Sequence, residues 1–149
     1  GRTHPFLVEP LGNLGEVAHG EGRPKDAQAR LRQAIAVAEG ALGPAHTDLV
    51  PLLTLLGRTE LELGQPQRAL ADLERAKLLS RPSQPAYERG EGAWQLSRVL
   101  AATGNEPLRA LALARESTGL FAVAGARGRE RGRQVEAFLG GAKGQVGQQ

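Results

Sequence analysis

Cysteine and methionine are absent from this 149-residue chain, and its aromatics are three Phe, one Tyr and one Trp. Without cysteine there is no disulfide, no thiolate metal ligand and no cysteine nucleophile. That absence fits a reducing compartment, and the expected localisation is cytoplasmic. With no Met even at position 1, the chain reads as a fragment of something larger or a processed product. Aromatics at 3% leave a core to be built from Leu, Ala and Val. Leu and Ala favour helices and β-branched residues are sparse, so the composition leans all-α. No apolar run approaches the roughly 20 residues that span a bilayer. Nor does a basic start lead into an apolar stretch and a small-residue cleavage site.

What the chain does contain is a repeat. His4, Leu7-Val8, Leu11, Leu14-Gly15, Gly22, Pro24, Ala27, Leu31 and Ala34 return as His46, Leu49-Val50, Leu53, Leu56-Gly57, Gly64, Pro66, Ala69, Leu73 and Ala76, always 42 residues on. Such constancy of register over so many positions is the mark of a repeat architecture. A third copy echoes the second: Ala93, Leu96-Ser97, Gly104 and Arg109-Ala110-Leu111 answer Leu53, Leu56-Gly57, Gly64 and Arg68-Ala69-Leu70. The offset shifts by one across the turn, so Asn105 reads as a single insertion. Beyond it, Ala114 and Ser117 replace the Leu and Ala of the earlier copies.

Within each copy, apolar residues recur every three or four positions, as in Leu7, Leu11, Leu14 and Ala18. Gly22 with Pro24, and Gly64 with Pro66, set Gly just past one helix and Pro at the start of the next. Seven helices are expected, over about 5–20, 24–42, 47–63, 66–79, 84–103, 106–123 and 126–139. The domain plan is one array over 4–139: copies at about 4–45, 46–85 and 86–123, then a capping helix at 126–139. The Gly/Gln-rich tail, 140–149, is expected to be disordered. Gly15 and Gly57 on first helices, with Ala27, Ala34, Ala69 and Ala76 on second helices, should let paired helices approach closely. Leu14, Leu31, Leu56 and Leu73 should then fill the space between them.

These residues resemble the tetratricopeptide repeat signature. Leu11, Leu14-Gly15, Ala18, Ala27, Leu31 and Ala34 match its positions in the first copy, and Leu53, Leu56-Gly57, Ala69, Leu73 and Ala76 in the second. The 42-residue spacing and the Ala41-Leu42-Gly43-Pro44-Ala45-His46 linker are similar to the kinesin-light-chain subtype. The resemblance implies a right-handed superhelical stack of helix-turn-helix hairpins. A narrower likeness, in Thr3-His4-Pro5-Phe6, Leu55-Leu56-Gly57-Arg58, Arg109 to Arg115 and Val135 to Leu139, is to the C-terminal repeats of myxobacterial serine/threonine protein kinases. No kinase motif stands in this sequence, so any kinase would lie upstream.

The resemblance also implies a concave groove lined by the inner face of each first helix. Matching positions are Glu9, Asn13, Glu16 and His19, then Thr54, Arg58 and Leu61, then Glu91, Trp94, Arg98 and Ala101. Of these Asn13, Glu16, Thr54, Arg58, Trp94 and Arg98 are the candidate groove residues. Trp and Arg dominate interfaces disproportionately, and Arg58 and Arg98 would suit an acidic or C-terminal group. Equally, Trp94 could pack between the helices of the third copy. The family's two-carboxylate clamp for chaperone tails needs Lys and Asn. Gly12, Glu16, Leu55, Glu91 and Gln95 cannot reproduce it.

His4 and His46 are explained by the repeat, His19 stands alone, and no metal-ligand spacing is present. No carboxylate pairs with a His or Ser in a catalytic pattern. The expected function is therefore a protein-interaction module without catalysis, cofactor or metal, the docking part of a bacterial signalling protein. Two other readings remain open at this level. One is a spacer or self-association element, possible as a homo-oligomer. The other is weak, sequence-independent binding of nucleic acid or an acidic surface by Arg127, Arg129, Arg131 and Arg133, although Glu130 and Glu136 dilute that run.

Overall fold

The computed structural model describes residues 5–146, with side chains from 6 to 142. Every regular element among them is helical: α1 (Val8–Gly20), α2 (Pro24–Leu42), α3 (Leu49–Glu62), α4 (Pro66–Leu79), α5 (Ala86–Thr103), α6 (Pro107–Val123) and α7 (Arg129–Val146), with 3-10 turns at Pro5–Leu7 and Gly125–Gly128. The helices begin where proline allows. Pro24, Pro66 and Pro107 each sit in the first turn of their helix, where a missing N–H costs nothing. They end where glycine can turn left-handed, at φ 71° for Gly22, 72° for Gly64 and 70° for Gly104. The amides of Arg23 and Gln65 then reach back to the carbonyls of Ala18 and Glu60 at 2.9 Å, closing the frayed ends of α1 and α3. After Gly104 the extra residue is absorbed at Glu106, which adopts a left-handed φ of 50°.

The chain divides into two compact units, Gly1–Arg81 and Pro82–Gln149. In the first, α1 pairs with α2 and α3 with α4, and α2 joins the two hairpins by packing on α3. Its core is aliphatic: Leu31, Ile35, Ala38, Leu49, Val50, Leu53, Leu56, Ala76 and Leu79 form one cluster. The small-residue expectation holds here. A Cβ on Gly15 would come within 2.7 Å of Leu31 Cγ, and one on Gly57 would overlap Leu73. Helix pairs this close need a missing side chain on one of them.

Leu14 departs from expectation. It is 50% exposed, while Leu56 at the same register is fully buried. Leu56 lies in the cluster that α2 shares with α3, whereas no described helix covers that side of α1. Val17, one turn on, is 52% exposed for the same reason.

In the second unit α5 pairs with α6, and α7 packs on α6. Aromatic side chains take over the core: Trp94, Phe121, Ala114 and Val135 cluster, with Tyr87, Phe138 and Leu139 against them. Ser97 stands where the second copy has Gly57, and Ala114 where it has Leu73. The volume gained on α5 offsets part of the volume lost on α6, and Ser97 Oγ donates to the Ala110 carbonyl at 2.7 Å. Helix α7 runs past the expected end at 139. The stretch 140–146 is helical and not a disordered tail, and 147–149 lie outside the described residues. Gly140 and Gly141 each cost about 1 kcal/mol against Ala in a helix. Phe138, Gly141 and Ala142 nonetheless border an apolar cleft with Leu100, Ala101 and Leu111, so this turn has neighbours.

Candidate functional site

Glu9, Gly12, Asn13 and Glu16 stand on one face of α1, spaced by three, one and three residues. Opposite them α3 presents Pro51, Leu52 and Leu55. Together with Val8, Leu42 and Asp48 these residues enclose a cleft of about 420 Å³. Gly12 sets its width: a Cβ there would stand 3.0 Å from Leu52 Cδ2. Val8, Leu52 and Leu55 rest on the core beneath and form an apolar floor. Polar groups stand at the rim. A mostly apolar concavity with a few convergent polar groups is the usual form of a ligand site.

The candidate groove residues divide. Asn13 and Glu16 are exposed and line this cleft. Thr54 and Arg58 lie elsewhere on α3. Thr54 is buried, and its Oγ1 has no hydrogen-bond partner among the described residues. Arg58 Nε lies 3.5 Å from Glu62, which His19 Nε2 also meets at 3.0 Å. The His19 and Arg58 side chains thus converge on one carboxylate within the unit.

Trp94 and Arg98 belong to the second unit. Trp94 is only 6% exposed, and its ring meets Phe138 edge-on at 5.4 Å between centroids. Of the two alternatives open for this residue, the geometry is that of a core side chain. The Arg98 guanidinium lies 5.9 Å from the Trp94 ring centroid and donates to Gln95 Oε1 at 2.9 Å. Their neighbour Glu91 pairs with Arg131 of α7 at 2.6 Å. The basic run is similarly engaged: Arg127 stacks on Tyr87 at 4.1 Å and Arg133 pairs with Glu130 at 3.1 Å.

One polar cluster escaped the sequence reading. Glu60 is fully buried on α3, where Gln28 Nε2 donates to it at 3.2 Å and Arg32 pairs with it. Arg32 also reaches Asp72 at 3.5 Å, and Gln28 donates to Gln65 Oε1 at 2.8 Å. Burial, reinforced by Asp72, pushes the Glu60 carboxyl up to about 7, against the opposing pull of Gln28 and Arg32. A signal for it existed. At this register the other copies carry Ala18 and Leu100, both buried, so a carboxylate there had to find partners inside.

Among the described residues no group of three or more His, Cys, Asp or Glu could hold a metal ion. No described helix is long and apolar enough to cross a membrane. His4 lies outside the described residues.

Comparison with known proteins agrees with the helical-repeat fold. A family model described as tetratricopeptide repeat matches residues 3–77. No curated protein sequence matches the chain. Among solved structures, a Podosopora anserina protein described as a kinesin light chain with nearly identical TPR-like repeats superposes with a TM-score of 0.76. It is 21% identical, over 97% of this chain and 71% of that one. The Yersinia enterocolitica type III secretion translocator chaperone SycD gives 0.73 at 16% identity, over 96% and 88%. The Sgt2 TPR domain from Aspergillus fumigatus gives 0.63 at 17%, over 92% and 82%. At such identities the likeness is one of fold.

Proposed function

The chain belongs to the tetratricopeptide repeat family, and on that premise we propose that it is a protein-interaction module that binds a short peptide segment in the α1–α3 cleft. The observation that carries this reading is the cleft itself: an apolar floor of Val8, Leu52 and Leu55 beneath exposed polar side chains of α1. Packed helices ordinarily close such a gap, and here Gly12 keeps the walls near while the rim stays in water. This reading assigns the cleft a binding role and no catalytic one. The likeness of several segments to repeats that follow bacterial kinase domains supports a docking role within a signalling protein.

The absence of cysteine makes the test clean. An Asn13→Cys variant carries one thiol, on the exposed rim, and can be labelled with an environment-sensitive dye. Peptides selected from a display library against the unmodified chain should shift that dye saturably. A dye on Gly119→Cys, exposed on α6, should not respond. Selected peptides that move the α6 dye and leave the α1 dye unchanged would place the binding surface elsewhere.

The exposed apolar strip on α1, Leu14 and Val17 with Phe6 at 80% exposure, favours self-association as a second reading. Light scattering over a concentration series separates the two. A mass that rises with concentration, and falls back in Leu14→Ser/Val17→Ser, would assign that strip to contact between copies.

A further inference from the structure

The α1–α3 face is charged unevenly along its length. Towards the C-terminal ends of the two helices, Glu62 is met by both His19 and Arg58. Along the rest of α1 and at the start of α3, Glu9, Glu16 and Asp48 stand around the cleft and no Lys or Arg lines it. Neither Glu9 nor Glu16 has an ion pair among the described residues. Asp48 lies 3.7 Å from His46 Nδ1, but that nitrogen accepts the Asp48 amide N–H at 3.1 Å. That hydrogen bond occupies the Nδ1 lone pair.

Resting on the assignment of this cleft as the peptide site, we propose that its occupant is a cationic segment in which Lys or Arg flank one or two branched aliphatic side chains. The aliphatic groups cover the floor formed by Val8, Leu52 and Leu55. The flanking cations meet Glu9 and Glu16 from α1 on one side and Asp48 from the start of α3 on the other. Asn13, midway along the α1 wall, supplies a neutral amide that can bond a peptide backbone. The volume of about 420 Å³ lies near the small end for ligand sites, which suits a few side chains and not a helix laid along its whole length.

This polarity runs against the molecule as a whole, which carries a formal charge of +3. A long-range field of that sign repels a basic peptide. Screening confines such a field to about 8–10 Å in physiological salt, so local carboxylates decide at contact. Selection of a basic ligand by a basic protein therefore points to the rim.

Three pools of fluorescein-labelled octapeptides test the proposal by anisotropy on the full chain. All carry the same Leu, Ile and Val content. Their remaining positions are Lys/Arg in the first pool, Asp/Glu in the second and Ser/Gln in the third. The basic pool should bind about tenfold more tightly than the neutral one and lose that advantage as salt rises. In Glu9→Lys/Glu16→Lys the preference should pass to the acidic pool. Glu9→Gln/Glu16→Gln, the milder change, should level the pools. Both pairs alter exposed side chains, and circular dichroism checks that the helices persist.

Equal or tighter binding of the neutral or acidic pool by the unaltered chain overturns the charge assignment. If the dye at position 13 still responds, the cleft reading survives that outcome. Basic-pool binding that persists undiminished in Glu9→Lys/Glu16→Lys puts the peptide outside the cleft. Failure of all three pools to bind saturably removes the peptide site altogether.

Discussion

The two units solve one packing problem with different materials. In the first, each close helix pair sets a glycine against a leucine: Gly15 against Leu31, and Gly57 against Leu73. In the second, the matching pair is Ser97 and Ala114, and the space goes to aromatics. Phe121 sits against three glycines, within 2.8 Å of a Cβ placed on Gly90, 3.9 Å of one on Gly132 and with its backbone against Gly128. Four of the chain's aromatics serve this core, and the fifth, Phe6, is exposed. Many aliphatic contacts of modest size spread stability over the first unit. A few large rings concentrate it in the second, where one truncation removes more.

The strongest way to break this contrast is Phe121→Ala. It should cost about 3–5 kcal/mol, the usual range for a buried ring. Trp94 is the only Trp and lies in the second unit, so its fluorescence reports that unit alone. In urea, the fluorescence midpoint should fall below the midpoint by circular dichroism, which sees all the helices. Coincident midpoints would show that the units do not differ in this way.

Next in size is Gly57→Ala, expected to cost about 1–3 kcal/mol by forcing Leu73 aside. Gly57→Ser should also destabilise. Adding Leu73→Ala to Gly57→Ser recreates the Ser97 and Ala114 pairing and should cost less than the two single changes summed. Simple additivity in chemical denaturation would mean the exchange of volume between copies is not a coupled one.

Acidity distinguishes the first unit in a third way. The Glu60 carboxyl is raised from its ordinary 4.5 to about 7, so the folded state holds this proton more tightly than the unfolded chain does. Its contribution is present in full below about 4.5 and is lost as pH climbs through about 7. Glu60→Gln has no proton to lose. Its stability relative to the parent should therefore rise by about 2–3 kcal/mol between pH 5 and pH 8. A difference that stays flat over that window would mean Arg32 compensates the charge completely.

The smallest effect is expected at Gly119, exposed on α6 with open space where a Cβ would go. Gly119→Ala should stabilise the second unit by about 0.5–1 kcal/mol, seen as a higher fluorescence midpoint.

The local features were legible in the sequence because local chemistry sets them. Prolines at 24, 66 and 107 mark helix starts, and glycines at 22, 64 and 104 mark the turns before them. Gly15 and Gly57 announced the close approaches. What remained hidden depends on which helix lies over which. Leu14 and Leu56 share a register, and only a covering neighbour separates a buried leucine from an exposed one. The position of Trp94 was ambiguous until α7 was seen to bring Phe138 against it. For the cleft, Asn13 and Glu16 were visible as one helix face. Leu52 and Leu55 read simply as core residues, since periodicity does not show where a floor is left open. The helical stretch at 140–146 was missed because composition argued for disorder, whereas the cleft it borders with α5 and α6 depends on tertiary placement.

Glu60 also fixes the order in which copies can follow one another. Its partners on the preceding helix are Gln28 and Arg32. Forty-two residues later, the same two places hold Leu70 and Glu74. A tandem made by duplicating the second copy would bring Glu60 against an aliphatic chain and a like charge, losing the amide and the guanidinium together. The modules are thus not interchangeable bricks. The second is keyed to the first, and this single carboxylate writes the grammar of their succession.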